Sequence, residues 1–164
     1  MGHLLKDQSV TVRYQDPDYS RLLQGIRNGP PASCATLIAL TGAPKVQMQR
    51  AANELAASLG KPLHRVDLPT VTGTYIGETE KNLGRQLGRA RASGAVLFFD
   101  EADALFGKRT GVKDSHDRYA SLETGHLLDE VRRHRGLAIA LFRSSAEAER
   151  RRAGWRQVVV RVPL

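Results

Sequence analysis

Apolar residues fall along this chain in short separated runs, and the runs alternate between two periods. Ala35-Thr36-Leu37-Ile38-Ala39-Leu40, Ala95-Val96-Leu97-Phe98-Phe99 and Leu137 to Phe142 are nearly unbroken, as expected of strands buried on both faces. Pro62 to Leu68 and Val158-Val159-Val160 read as two further strands, and Ser9 to Tyr14 alternates weakly, like an edge strand, before the turn at Asp16-Pro17-Asp18. Between these runs the period lengthens. Val46, Met48, Ala51, Ala52, Leu55, Ala56 and Leu59 recur at helical spacing up to Gly60, and Leu83, Leu87 and Ala90 share one side of a helix over 78–91. Tyr119, Leu122, His126 or Leu127, and Val131 predict a long helix over 115–134, with short helices over 19–27 and 146–153. Alternating strands and helices predict an α/β fold with a largely parallel sheet and right-handed crossovers.

Composition narrows this picture. A chain of 164 residues, 41% apolar and 26% charged, is one globular domain's worth. No apolar run approaches a membrane span and the N-terminus lacks a signal-peptide layout, so a soluble cytoplasmic protein without a membrane partner is expected. Cys34 is the only cysteine, which leaves no internal disulfide, and the five histidines show no ligand spacing. The net charge of +8 is concentrated: residues 132–161 hold nine arginines against Glu147 and Glu149. Such an end suits a solvated basic face or a surface for an acidic protein neighbour. Nucleic acid is the alternative, weakened by the scarcity of base-stacking aromatics, of which Trp155 is the best placed.

In parallel sheets ligands sit beyond the carboxyl ends of the strands, so Gly42 to Gln49 and Asp100-Glu101, each following a buried strand, should lie side by side. Two carboxylates at a strand end suit a nucleotide hydrolase, one acid holding Mg²⁺ and the next polarising water; they equally suit helix capping. The surrounding residues carry a longer signal. Tyr75-Ile76-Gly77-Glu78-Thr79-Glu80-Lys81-Asn82-Leu83 and Leu97-Phe98-Phe99-Asp100-Glu101-Ala102-Asp103-Ala104-Leu105-Phe106-Gly107-Lys108-Arg109, continuing through Asp114 to Ala120, resemble the core of the AAA+ ATPases, in particular the Cdc48-like branch and its bacterial relatives. The resemblance covers about residues 36–164. It implies a P-loop NTPase-like three-layer αβα sandwich with a mainly parallel five-stranded sheet over residues 35–164, preceded by an extension over 1–34. It further implies ATP and Mg²⁺ as cofactors, Asp100 as the Mg²⁺-associated acid and Glu101 as the water-polarising one. Tyr75, with Ile76 and Gly77, falls where the family places the pore loop that grips a threaded polypeptide.

Against that pattern several positions depart. A phosphate-binding loop reads Gly-x-x-x-x-Gly-Lys-Ser/Thr, because backbone amides wrap the phosphates, the lysine neutralises them and the hydroxyl ligates Mg²⁺. Here the segment is Gly42-Ala43-Pro44-Lys45-Val46-Gln47-Met48-Gln49: the spacing is kept, but Gln47 replaces the second glycine, Met48 the lysine and Gln49 the hydroxyl, and only Gly42 remains. Lys45 stands three positions early. Where the family's sensor strand ends in Thr-Asn, this chain has Phe142 and Arg143, and no arginine among Arg150, Arg151, Arg152 and Arg156 can be assigned as the finger that completes a neighbour's site. The family's helical lid would follow Leu164, so a core without its lid is expected.

We therefore expect a pseudo-ATPase with lost or weak ATP binding, serving as a binding or regulatory module beside an intact AAA+ subunit or another protein, or as a homo-oligomer. Without Mg²⁺ between them, Asp100 and Glu101 would repel, and one would be retained for capping or for an arginine partner. The alternatives are an active Mg²⁺-dependent ATPase using Asp100 and Glu101, with Lys45 or a partner supplying charge, and a basic nucleic-acid-binding module.

Overall fold

The computed structural model describes residues 10–28, 36–66, 78–101, 136–150 and 156–163. In chain order these form β1 (Val10–Arg13), α1 (Pro17–Asn28), β2 (Thr36–Thr41), α2 (Lys45–Ser58), β3 (Leu63–Arg65), α3 (Glu78–Ser93), β4 (Val96–Phe99), β5 (Leu137–Leu141), α4 (Ser145–Arg150) and β6 (Arg156–Arg161). The strands make one six-stranded sheet in the order β1-β6-β2-β5-β4-β3, with every neighbouring pair parallel.

The continuous apolar runs become the central strands for the reason their pattern suggests: helices cover both faces, so both sets of alternating side chains must be apolar. Leu37 and Ala39 of β2 join Leu97, Phe99, Ala138, Ala140 and Val159 under Leu83, Leu87 and Ala90 of α3 and Ala148 of α4. Ile38 and Leu40, one residue out of phase, join Phe98, Ile139, Leu141, Val158 and Val160 under Met48, Ala51, Ala52 and Leu55 of α2, with Tyr19 of α1 alongside. This is the expected three-layer αβα sandwich.

The sheet departs from expectation in having six strands rather than five. The N-terminal segment supplies the sixth, β1, whose residues pair in register with β6 from Val10↔Val158 to Arg13↔Arg161. Two forces place it there. Its inward residue Val12 is buried in the α1/α2 layer, and its backbone satisfies the otherwise open edge of β6. Pro17 then opens α1 at the first helical position, where a missing N–H costs nothing, and the Tyr14 and Tyr19 rings meet at a centroid distance of 5.1 Å. The Tyr14 hydroxyl donates to the Glu54 carboxylate on α2, clasping the segment to the core.

Gly60 ends α2 as the spacing predicts. Its φ of +66° lets its N–H reach the Ala57 carbonyl (3.0 Å) and the Lys61 N–H reach that of Ala56 (3.0 Å), so the last carbonyls of the helix are satisfied before the chain turns into β3. Among the described residues no helix is long and apolar enough to cross a membrane. The expected helix over 115–134 lies outside the described residues, as do Tyr75, Ile76 and Gly77.

Candidate functional site

Gly42 leaves the carboxyl end of β2 at φ +95°, a conformation L side chains rarely adopt. A Cβ placed there would stand 3.1 Å from the Val162 carbonyl oxygen, and the Val162 N–H donates to the Thr41 carbonyl at 2.8 Å. The glycine is therefore needed for the close approach of the segment after β6, independent of any ligand. Only Ala43 and Pro44 follow before α2 begins. Pro44 is the N-cap and has no side chain to cap with; the Met48 N–H already donates to the Pro44 carbonyl at 3.1 Å. The helix begins at Lys45, one residue before Val46, the first member of the apolar period. Gln47, Met48 and Gln49 are thus all helical. Met48 is 7% exposed and packs in the α2-facing core, whereas Gln49 is half-buried, its carbonyl accepting from Asn53 Nδ2 one turn on at 3.0 Å.

Asp100 and Glu101 follow β4, which is separated from β2 by β5, and Lys45 spans the gap as the parallel topology predicts. Its Nζ lies 3.4 Å from Glu101 Oε1 and 3.9 Å from Asp100 Oδ2. A second cation completes the cluster: Arg65, ending β3, places a guanidinium nitrogen 2.6 Å from Asp100 Oδ2. Asp100 is the shielded member, at 16% exposure, while Glu101 and Arg65 are open to solvent at 66% and 63%. Sequence reading anticipated an arginine partner for an acid without naming Arg65. The missing signal was sheet order, since Arg65 pairs in register with Phe98, two residues before Asp100.

Phe142 and Arg143, at the expected sensor position, are also engaged within the chain. Phe142 is buried and its N–H donates to the Leu40 carbonyl at 2.9 Å, while the exposed Arg143 gives its N–H to Glu147 Oε2 at 3.1 Å. Ser144 Oγ accepts the Glu147 N–H at 3.1 Å, so residues 143–147 serve as the N-terminal cap of α4. Thr41 and Ser145 hydroxyls, 3.2 Å apart, tie the end of β2 to the start of that helix.

A Mg²⁺-nucleotide needs loop amides free to wrap phosphates, a cation reaching them from position 48 and an acid open to the metal. The described residues present a helical turn, a buried thioether and an acid facing two cations of the chain itself, and this donor set does not fit. Of the nine arginines over 132–161, only Arg143 and Arg161 have described side chains, so the nucleic-acid reading lies mostly outside the described residues.

A wholly parallel sheet between helical layers, with a glycine turn after one central strand and paired acids after another, defines the P-loop NTPase-like class of α/β proteins. The model of the ATPase family associated with various cellular activities (AAA) matches residues 39–146, and the chain belongs to this family. It is 50% identical over 50 residues to an AAA family ATPase, y4kL, of Sinorhizobium fredii, covering 30% of this chain and 15% of that protein. It is 33% identical over 102 residues to the ATPase family gene 2 protein of Schizosaccharomyces pombe, covering 62% of this chain and 12% of that protein. A third relative, the cell division cycle protein 48 homolog of Archaeoglobus fulgidus, is 34% identical over 89 residues, covering 54% of this chain and 10% of that protein. The chain thus spans a small part of the length of the relatives it matches. Members of the family generally bind ATP with Mg²⁺ and typically oligomerise.

Proposed function

We propose that this chain is a cytoplasmic AAA core domain in which ATP binding is lost or weak, acting as a binding or regulatory module in a protein-remodelling assembly beside AAA subunits with intact sites. What supports this reading above all is the pairing of Lys45 and Arg65 with the strand-end acids while Met48, at the position of the phosphate lysine, is buried in the core. Each charge-assisted phosphate contact contributes about 1.5–3 kcal/mol, so losing the lysine and the loop amides lowers nucleotide affinity by about a thousandfold or more. In this reading residues 35–164 are the core, residues 1–34 extend it, and Tyr75, Ile76 and Gly77 have the role of gripping a polypeptide client. Arg143 takes no part in sensing a γ-phosphate.

Asp100 and Glu101 still stand where a hydrolase would hold Mg²⁺ and polarise water, which makes slow ATP hydrolysis the competing reading. Calorimetric titration of the purified chain with ATP and a slowly hydrolysed analogue, each with Mg²⁺, separates the two. No binding that depends on Lys45 is expected up to about millimolar nucleotide. Binding tighter than about 100 µM that Lys45→Ala abolishes, or turnover lost in Glu101→Gln, would overturn the proposal.

A further inference from the structure

A second charged feature lies at the far edge of the sheet. Arg13 and Arg161 end β1 and β6 and are register partners, so both side chains leave the sheet on one face. That face is the one carrying Val159, on the α3/α4 side, and Thr11, two residues before Arg13, shares it. Thr11, Arg13 and Arg161, with Val12 and Pro163, are the described residues that line a half-open cavity of about 410 Å³. Thr11 and both arginines are exposed, and among the described residues neither guanidinium has an ion-pair partner.

Neighbouring strands run about 4.8 Å apart, so two like charges are held side by side by the ladder. We propose that Thr11, Arg13 and Arg161 form a binding site for a phosphate monoester. Three features select that chemistry. Two guanidiniums match the two charges of a phosphate dianion, whereas one carboxylate would leave a net positive charge uncompensated. Planar guanidinium forks and a rotatable hydroxyl supply donors for three phosphate oxygens. The cavity is larger than a phosphate alone and leaves room for the group that bears it. The site stands apart from the strand-end acids and does not depend on the reading of Lys45.

The test is titration of the whole chain, followed by backbone amide NMR shifts, with inorganic phosphate, O-phosphoserine and AMP, and with acetate at matched ionic strength. Phosphate is expected to bind at about millimolar concentration and acetate at least about tenfold more weakly, with the shifts centred on residues 11–13 and 161–163. Arg13→Gln and Arg161→Gln should each weaken phosphate about tenfold, and the double replacement by lysine should weaken it several-fold because the forks are lost while the charge stays. Both arginines are exposed, so the variants should keep the parent far-UV spectrum. Tighter binding of O-phosphoserine would identify a phosphorylated side chain as the source, tighter binding of AMP a nucleotide, and equal affinities the bare phosphate group. Acetate binding as well as phosphate, arginine variants that bind unchanged, or loss of binding in Lys45→Ala would each overturn the proposal.

Discussion

Replacing Met48 by lysine restores the residue that phosphate-binding loops carry at that position, and the structure predicts that it harms the fold without recovering the ligand. Met48 lies on the first turns of α2 with Ile38, Leu40 and Val160 in the same cluster, at 7% exposure. Full burial of a methionine stabilises by about 1.5–3 kcal/mol, and an unpaired ammonium in its place adds a desolvation cost, partly relieved if the long stem carries the charge toward water. The net loss should be about 2–4 kcal/mol, a large share of a typical domain's total and about 5–15 °C in Tm. Urea unfolding followed by circular dichroism measures the loss, and calorimetry with ATP and Mg²⁺ measures any gain. Stability within about 0.5 kcal/mol of the parent, together with micromolar ATP binding, would show that position 48 faces the phosphate site and would refute the geometric argument.

Three further perturbations probe other parts of the structure. Gly42→Ala should cost about 2–3 kcal/mol in urea unfolding, combining positive-φ strain with the 3.1 Å approach to the Val162 carbonyl; a loss below about 1 kcal/mol would mean the turn relaxes freely. A double-mutant cycle between Arg65→Ala and Asp100→Ala should give a coupling of at most about 1 kcal/mol that shrinks in high salt, because Arg65 is solvent-exposed; a coupling above about 3 kcal/mol would indicate a desolvated pair. The Tyr14 phenol is pushed up to about 12, chiefly by burial and next by its bond to the Glu54 carboxylate, so its neutral form is favoured in the folded state. Its contribution to stability is therefore fully present below the ordinary phenol value near 10 and is lost as pH rises through about 12. Tyr14→Phe should lower stability by about 0.5–1.5 kcal/mol at neutral pH and flatten the pH dependence between about 10 and 12; an unchanged alkaline profile would sink the assignment.

The elements were legible wherever local pattern decides structure. Buried parallel strands need apolar residues on both faces, so Thr36–Thr41, Val96–Phe99 and Leu137–Leu141 stood out unaided, and Gly60 marked a helix end because few residues tolerate its φ. The sixth strand was visible only as a weak alternation. Its place in the sheet is set by pairing with β6, nearly the whole chain away, and no local pattern encodes that. At the candidate site the residues at 47–49 raise the expectation of weakened phosphate binding, and the apolar period already sets Met48 with Ala51, Ala52 and Leu55 on the side of α2 that faces the core. Arg65 stayed hidden for the same reason as β1: an ion pair between the ends of adjacent strands becomes readable only once strand order is known.

The cluster at the sheet's carboxyl end also has a charge balance that links its departures. Two adjacent carboxylates at a strand end repel unless a cation lies between them, and in a phosphate-binding site that role falls to Mg²⁺ and the loop lysine. Here position 48 holds methionine, and Lys45, about one helical turn earlier, brings its ammonium within salt-bridge distance of both acids. Arg65 approaches Asp100 from the neighbouring strand. Two cations thus face two anions within the chain, so the repulsion between Asp100 and Glu101 is offset by the chain's own side chains. Position 48, which carries no charge, contributes an apolar side chain to the core, where Met48 packs with Ile38, Leu40 and Val160.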